Sequence, residues 1–214
     1  MADEGGTDEV PQLPPRELNN ERITRRFLER KLWNCAKILR GNAKADKYKD
    51  YVFGLLLLKR CADQFEDARY TVMEGLVSGG MPPEEAETEA EDYRYYDNRT
   101  TVYVPPEARW STINNLVTSI GSNLNIAKNA LSEQNPRLRS VLRGSTIDFL
   151  APPGGGDDQI GDDDYKELIN ELRDVSLRDE NLEFPDVLGA AYEYMIKHFA
   201  ESSNDKGGEF YTPR

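Results

Sequence analysis

The residues best suited to chemistry are cations, tyrosines and glycines rather than a metal set or a nucleophile. Arg22, Arg25, Arg26 and Arg30 fall close together in a basic segment, and guanidinium groups at such spacing suit phosphate oxygens. Their alternative reading is an ordinary solvated helix face. Tyr93, Tyr95 and Tyr96 are interleaved with Arg94 and Arg99, and tyrosine faces can stack on bases, although aromatic ribbons commonly pack on helices instead. Gly154-Gly155-Gly156 could let a backbone approach a nucleotide, but such a loop should leave a buried apolar strand and open a helix. Here it follows Pro152-Pro153 and runs into Asp157-Asp158, so it reads as a surface loop. The run Gly207-Gly208-Glu209-Phe210-Tyr211-Thr212-Pro213-Arg214 releases the backbone at two glycines and ends on Thr-Pro, a common helix start with Thr as cap and Pro in the first turn.

Other chemistries lack their residues. The two cysteines, Cys35 and Cys61, have no metal-ligand spacing, and His198 is the only histidine, so neither a zinc site nor a histidine-based triad can be assembled. Both thiols read as core packing. No run approaches the roughly 18 apolar residues that span a bilayer, and the acidic Met1-Ala2-Asp3-Glu4 start is no secretory signal, so a cytoplasmic location without membrane contact is expected.

The net charge of -12 on 214 residues opposes a DNA-binding role until it is resolved along the chain. From Arg16 to Arg60 there are thirteen Lys or Arg against five Asp or Glu. Cys61 to Thr101 carries three against eleven, and Asp148 to Asp186 three against thirteen. Only the first segment suits phosphates.

The elements that would position these groups are mostly helical. Residues 1–15 read as a disordered acidic arm. From about Glu17 a helix is expected, with Leu28, Leu32, Cys35 and Leu39 on one face and Gly41-Asn42 as its stop. A second helix, capped by Asp46, runs through Tyr48, Val52, Leu55, Leu56 and Leu58 toward Phe65, and its apolar residues on more than one side mark it as central to a bundle. Gly79-Gly80 and Pro82-Pro83 form a turn before a short acidic helix from Glu84 to Asp92. The tyrosines and Val102-Tyr103-Val104 predict a small β-hairpin or an extended aromatic segment. Further helices, broken at Gly121 and at Asn135-Pro136, carry Ile113, Leu116, Val117, Ile120, Leu124, Ala127 and Leu131. Asp164 is the expected cap of the next helix, through Leu168, Leu172 and Val175, and Asp186 of the last, with Leu188, Ala191, Tyr192, Met195 and Phe199 on its apolar face.

Several of these blocks resemble one family. The ending Gly-Gly-Glu-Phe-Tyr-Thr-Pro-Arg is similar to the segment that opens the catalytic domain in the modification subunit (HsdM) of type I restriction-modification systems, which are adenine-specific DNA methyltransferases. Leu32-Trp33, Leu39-Arg40-Gly41-Asn42, Tyr48-Lys49 and Gly54-Leu55-Leu56-Leu57-Leu58-Lys59 look like that family's first helical pair. Val104-Pro105-Pro106-Glu107-Ala108-Arg109-Trp110 resembles its turn into a Trp-initiated helix, with Pro106 where the family pattern has Glu. Asp186-Val187-Leu188-Gly189, Tyr192-Glu193-Tyr194 and Phe199-Ala200 complete the handover to the catalytic part.

The resemblance implies a mainly α multi-helix bundle over residues 16–203, with 204–214 as linker and first segment of an α/β methyltransferase domain absent from this sequence. It implies that Glu209, Phe210, Tyr211, Thr212, Pro213 and Arg214 line one side of an S-adenosyl-L-methionine pocket. It also implies DNA, a specificity subunit, a second modification subunit and a restriction subunit as partners. An Asn-Pro-Pro-Phe type slot for a flipped adenine is missing, since Met81-Pro82-Pro83-Glu84, Val104-Pro105-Pro106-Glu107 and Ala151-Pro152-Pro153-Gly154 lack the flanking polar and aromatic residues. This chain alone is therefore expected to transfer no methyl group, and Arg22, Arg25, Arg26 and Arg30 are its expected DNA-facing residues. The rival reading is a free-standing helical module that docks on the same complex without catalysis. A single-chain restriction-and-modification polypeptide would share the same helical preface.

Overall fold

The computed structural model describes residues 13, 22–40, 45–96, 101–143, 147–150 and 160–200. The expected arm over 1–15, Leu13 apart, the Gly154 loop and the segment from 204 onward lie outside them.

Helix α1 (Arg25–Leu39) starts where Thr24 Oγ1 accepts the Phe27 N–H at 3.1 Å, and it buries Leu28, Leu32, Cys35, Ala36 and Leu39. This is the predicted apolar stripe. The helix expected from about Glu17 begins later than that, since residues 22–24 are not helical, Ile23 forms a bridge and Thr24 is the cap, while the expected stop at Gly41-Asn42 falls outside the described residues. Helix α2 (Ala45–Ser78) runs well past Phe65, for 34 residues. Its middle is buried nearly all round, from Tyr51 through Leu55, Leu56, Leu57 and Leu58 to Phe65. It packs against α1 and against α3 (Pro83–Glu89), α4 (Trp110–Asn114), α7 (Asp162–Arg173) and α8 (Val187–Ala200), which makes it the central member of the bundle. The helix ends at the predicted glycine turn, where Met81 N–H reaches Leu76 O and Gly80 N–H reaches Val77 O. Gly80 adopts φ 95°, a left-handed geometry that a side chain would strain.

The tyrosine segment takes the extended alternative rather than a hairpin. Tyr93–Tyr95 is a 3-10 turn, and residues 102–105 pass without strand partners, held by Asn135, which accepts from Tyr103 N–H at 3.0 Å and donates to Tyr103 O at 2.7 Å. A parallel bridge between Ile23 and Leu182 ties the entry of α1 to the approach to α8.

Several sequence expectations are corrected: Asp46, the expected cap of the second helix, lies inside α2, which begins at Ala45, and the helix expected to reach Val175 ends at Arg173. The break predicted at Gly121 falls at residues 115–119 instead, and Gly121 sits inside the first turn of α5 (Ile120–Gln134). Its glycine serves packing: a Cβ there would lie 2.9 Å from Phe149 O and 3.1 Å from Tyr165 Cε2. Asp164 is not the N-cap of α7. That position is Gly161, while Asp164 in the first turn accepts the Gly161 N–H at 3.3 Å. Its neighbour Asp162 reaches across the chain and accepts the Ser119 and Ile120 N–H groups, both at 2.7 Å, which caps α5 from another helix. The break at Asn135-Pro136 precedes the short α6 (Arg139–Arg143), and Asp186 caps α8 by accepting the Gly189 N–H at 2.9 Å.

Candidate nucleic-acid interface

The fold buries one side of α1 and turns the other outward. Of the predicted DNA-facing residues, Arg22, Arg25, Arg26 and Arg30 are all exposed. The Arg25 guanidinium leans on the Phe184 ring, 5.8 Å from its centroid, and Arg30 lies 5.2 Å from that of Phe27 on its own helix. The outward face continues beyond them, through Trp33 and Lys37 to Arg40 at the C-cap. Arg26, Arg30, Trp33, Lys37 and Arg40 recur at intervals of four, three, four and three residues. At 3.6 residues per turn this places them within an arc of about 80°, along about 21 Å of helix. Trp33, 39% exposed, sits at the middle of the row.

The sequence reading missed Trp33, Lys37 and Arg40. The signal was present as the 4-3-4-3 spacing, but a tryptophan next to Leu32 reads as apolar until burial shows which face it occupies.

Pairing separates this row from many of the other cations, although Lys49, Arg139, Lys166 and Lys197 are likewise in no ion pair among the described residues. Many cations elsewhere are matched to local acids: Lys31 to Glu171 at 3.3 Å, Arg60 to Asp179 at 2.6 Å, Arg178 to Asp67 at 3.0 Å and Arg69 to Glu91 at 2.6 Å. Among the described residues, Arg22, Arg26, Lys37 and Arg40 are in no ion pair or side-chain hydrogen bond, and no ring or polar group engages the Trp33 indole. Their charge is available to an anion from outside the chain.

The tyrosine segment is differently used. Tyr96 is buried against Phe65, with centroids 4.8 Å apart, and Tyr103 meets the same ring edge-on at 5.4 Å. Arg109 covers Phe65 at 4.4 Å and donates to Val104 O at 2.7 Å and to Glu91 at 2.7 Å. Arg94 is paired with Asp92, and Arg99 lies outside the described residues. Tyr93 alone is largely open, at 57%, on the rim of a cleft of about 450 Å³ that Tyr103, Asn135 and Arg137 also line. Two of the tyrosines thus serve the core, as the packing alternative holds.

The remaining candidates carry little chemistry. Burial pushes the thiols of Cys35 and Cys61 up to about 12, which keeps both protonated. His198 stacks on Tyr194 with centroids 4.4 Å apart. Glu209 to Arg214 lie outside the described residues. Among the described residues no strand ends in a glycine turn of the kind that can cradle a nucleotide, and no step of methyl transfer is assigned to them. No described helix is long and apolar enough to cross a membrane.

Comparison with known proteins gives the family of the chain. The family model of the HsdM N-terminal domain matches residues 28–172, from the buried stripe of α1 to the end of α7. The model of the N-6 DNA methylase family matches residues 183–214, which include α8. The methylase subunit of the type I restriction enzyme MjaIX of Methanocaldococcus jannaschii is 30% identical over 194 residues, an alignment covering 87% of this chain and 33% of that relative. The chain therefore spans about a third of the length of the curated relative it matches.

Proposed function

Since this chain belongs to the family of HsdM N-terminal domains, we propose that it is the helical N-terminal part of the DNA methylase subunit of a type I restriction-modification enzyme. In this reading the whole subunit transfers a methyl group from S-adenosyl-L-methionine to adenine. The helical part contributes DNA contact and assembly with a specificity subunit, a second modification subunit and a restriction subunit, in the cytoplasm. Residues 1–15 are an arm, 16–203 the helical domain, and Glu209, Phe210, Tyr211, Thr212, Pro213 and Arg214 the first strip of the donor site.

The observation that supports the DNA-facing role is the unpaired basic face of α1 in a chain of net charge -12. Local acids neutralise many cations elsewhere, so leaving this row unpaired maintains a positive strip on a chain of net negative charge. Such a strip orients the molecule toward phosphates while the acidic remainder is repelled from them.

The test is charge reversal at Arg25, Arg26 and Arg30 in the assembled enzyme. DNA affinity should fall and its dependence on salt should flatten, by about one unit of slope for each phosphate no longer neutralised. Unchanged affinity with unchanged slope would refute the role.

A further inference from the structure

We propose that Trp33 is a base-stacking contact for an unpaired stretch of DNA, held in place by the cations on either side of it along α1. The inference rests on the DNA-facing reading of this helix and adds to it the form of nucleic acid that the face fits.

Trp33 follows the buried Leu32, yet it is turned out by the helix period and is 39% exposed with no ring, ion or hydrogen-bond partner among the described residues. The other tryptophan, Trp110, is half-buried with the Lys59 ammonium 5.2 Å from its ring centroid. A solitary exposed aromatic is common on protein surfaces. This one is flanked by Arg26 and Arg30 toward the helix start and by Lys37 and Arg40 toward its end, all exposed.

The spacing then selects the ligand. A row of about 21 Å corresponds to about six nucleotides at the rise of one strand. Cations at both ends and an aromatic face in the middle reproduce the two parts of a single-strand site: phosphates are followed by charge, and a base lies on a ring. An intact duplex fits the cations but not the indole. Its bases are stacked inside, and the rim that meets a convex helix offers sugars and phosphates rather than a π face. A strand with a base already unstacked satisfies both.

The experiment compares two labelled probes that share one strand, a continuous duplex and a duplex whose second strand leaves about six thymidines of the first unpaired. Binding of the full 214-residue chain is followed by anisotropy over a salt series, and tryptophan emission by quenching. The expected result is that W33A binds the interrupted probe about tenfold more weakly, binds the continuous duplex as the unsubstituted chain does, and keeps the same salt slope. W33F should recover most of the affinity, since a benzene ring still stacks. Quenching by the interrupted probe should disappear in W33F, which assigns the signal to Trp33 rather than Trp110. The proposal is overturned if W33A binds the interrupted probe normally, or if its affinity falls equally for both probes. R26E/R30E separates the two levels: if it weakens both probes while W33A changes nothing, the DNA-facing reading survives and the stacking role falls. If R26E/R30E also binds normally, both fall. Unchanged thermal melting of each variant establishes that weaker binding is not a failure of folding.

Discussion

Asp63, buried on α2, accepts the backbone N–H of Leu177 at 2.7 Å. The same carboxylate takes the Lys59 ammonium at 2.5 and 2.6 Å, one turn earlier on the helix. Burial lowers the Lys59 pKa, and the charge and hydrogen bond of Asp63 work against that fall. A single acid therefore anchors the 175–178 segment to the central helix and supplies the counter-ion of a buried amine.

Replacing Asp63 with Ala should for that reason cost about 3 kcal/mol or more, because it leaves a buried cation without its anion and an amide without its acceptor. Urea denaturation followed by circular dichroism reads the change. A cost below about 1 kcal/mol would mean that Lys59 escapes to solvent.

Glu91 makes stability depend on acid. Burial alone would raise its pKa, but hydrogen bonds from Arg109 and Arg69 and their charges outweigh that and hold the carboxyl below its ordinary 4.5. A depressed folded pKa means that the unfolded chain binds the proton more readily. The stabilisation is then fully present above about the ordinary value and is lost as pH falls through the lower folded one. Glu66 opposes this trend, since burial pushes its carboxyl up despite Arg69 and Arg109. The Glu91→Gln variant should show a shallower fall in melting temperature below about pH 5 than the unsubstituted chain, a window set by that ordinary carboxylate range. Parallel acid-melting curves for the two proteins would remove Glu91 from the account.

Cys35 and Cys61 should resist alkylation while the protein is folded. Both are buried and both pKa values stand at about 12, so the reactive thiolate is scarce at about pH 8. Mass spectrometry after iodoacetamide should find neither modified in native buffer and both modified in denaturant. Rapid labelling of the native protein would show that the α1 and α2 core opens.

What could be read from residue order follows from periodicity. Leu28, Leu32, Cys35 and Leu39 specify the inner face of α1, the all-round apolar middle of α2 announces its central place, and Asp186 caps α8 as a local rule requires. The failures depend on packing between distant parts of the chain. Gly121 looks like a helix break but is a point of close approach to Phe149 and Tyr165. Asp162 caps a helix more than forty residues before it, which no local pattern encodes. The packing alternative for the tyrosines was legible in outline, but not that Phe65 would be the ring on which Tyr96, Tyr103 and Arg109 converge. The cations at Arg22, Arg25, Arg26 and Arg30 were legible, whereas the extension of their face through Trp33 to Arg40 needed the observed burial of the opposite side.

The central claim is that the outer face of α1 is the side of this domain that meets DNA, and photo-crosslinking from that face tests it most directly. A benzoylphenylalanine placed at Lys37 in the assembled enzyme should crosslink to bound target DNA, whereas the same group at Glu85, exposed on the acidic α3, should not. Crosslinking from Glu85 and none from Lys37 would contradict the account.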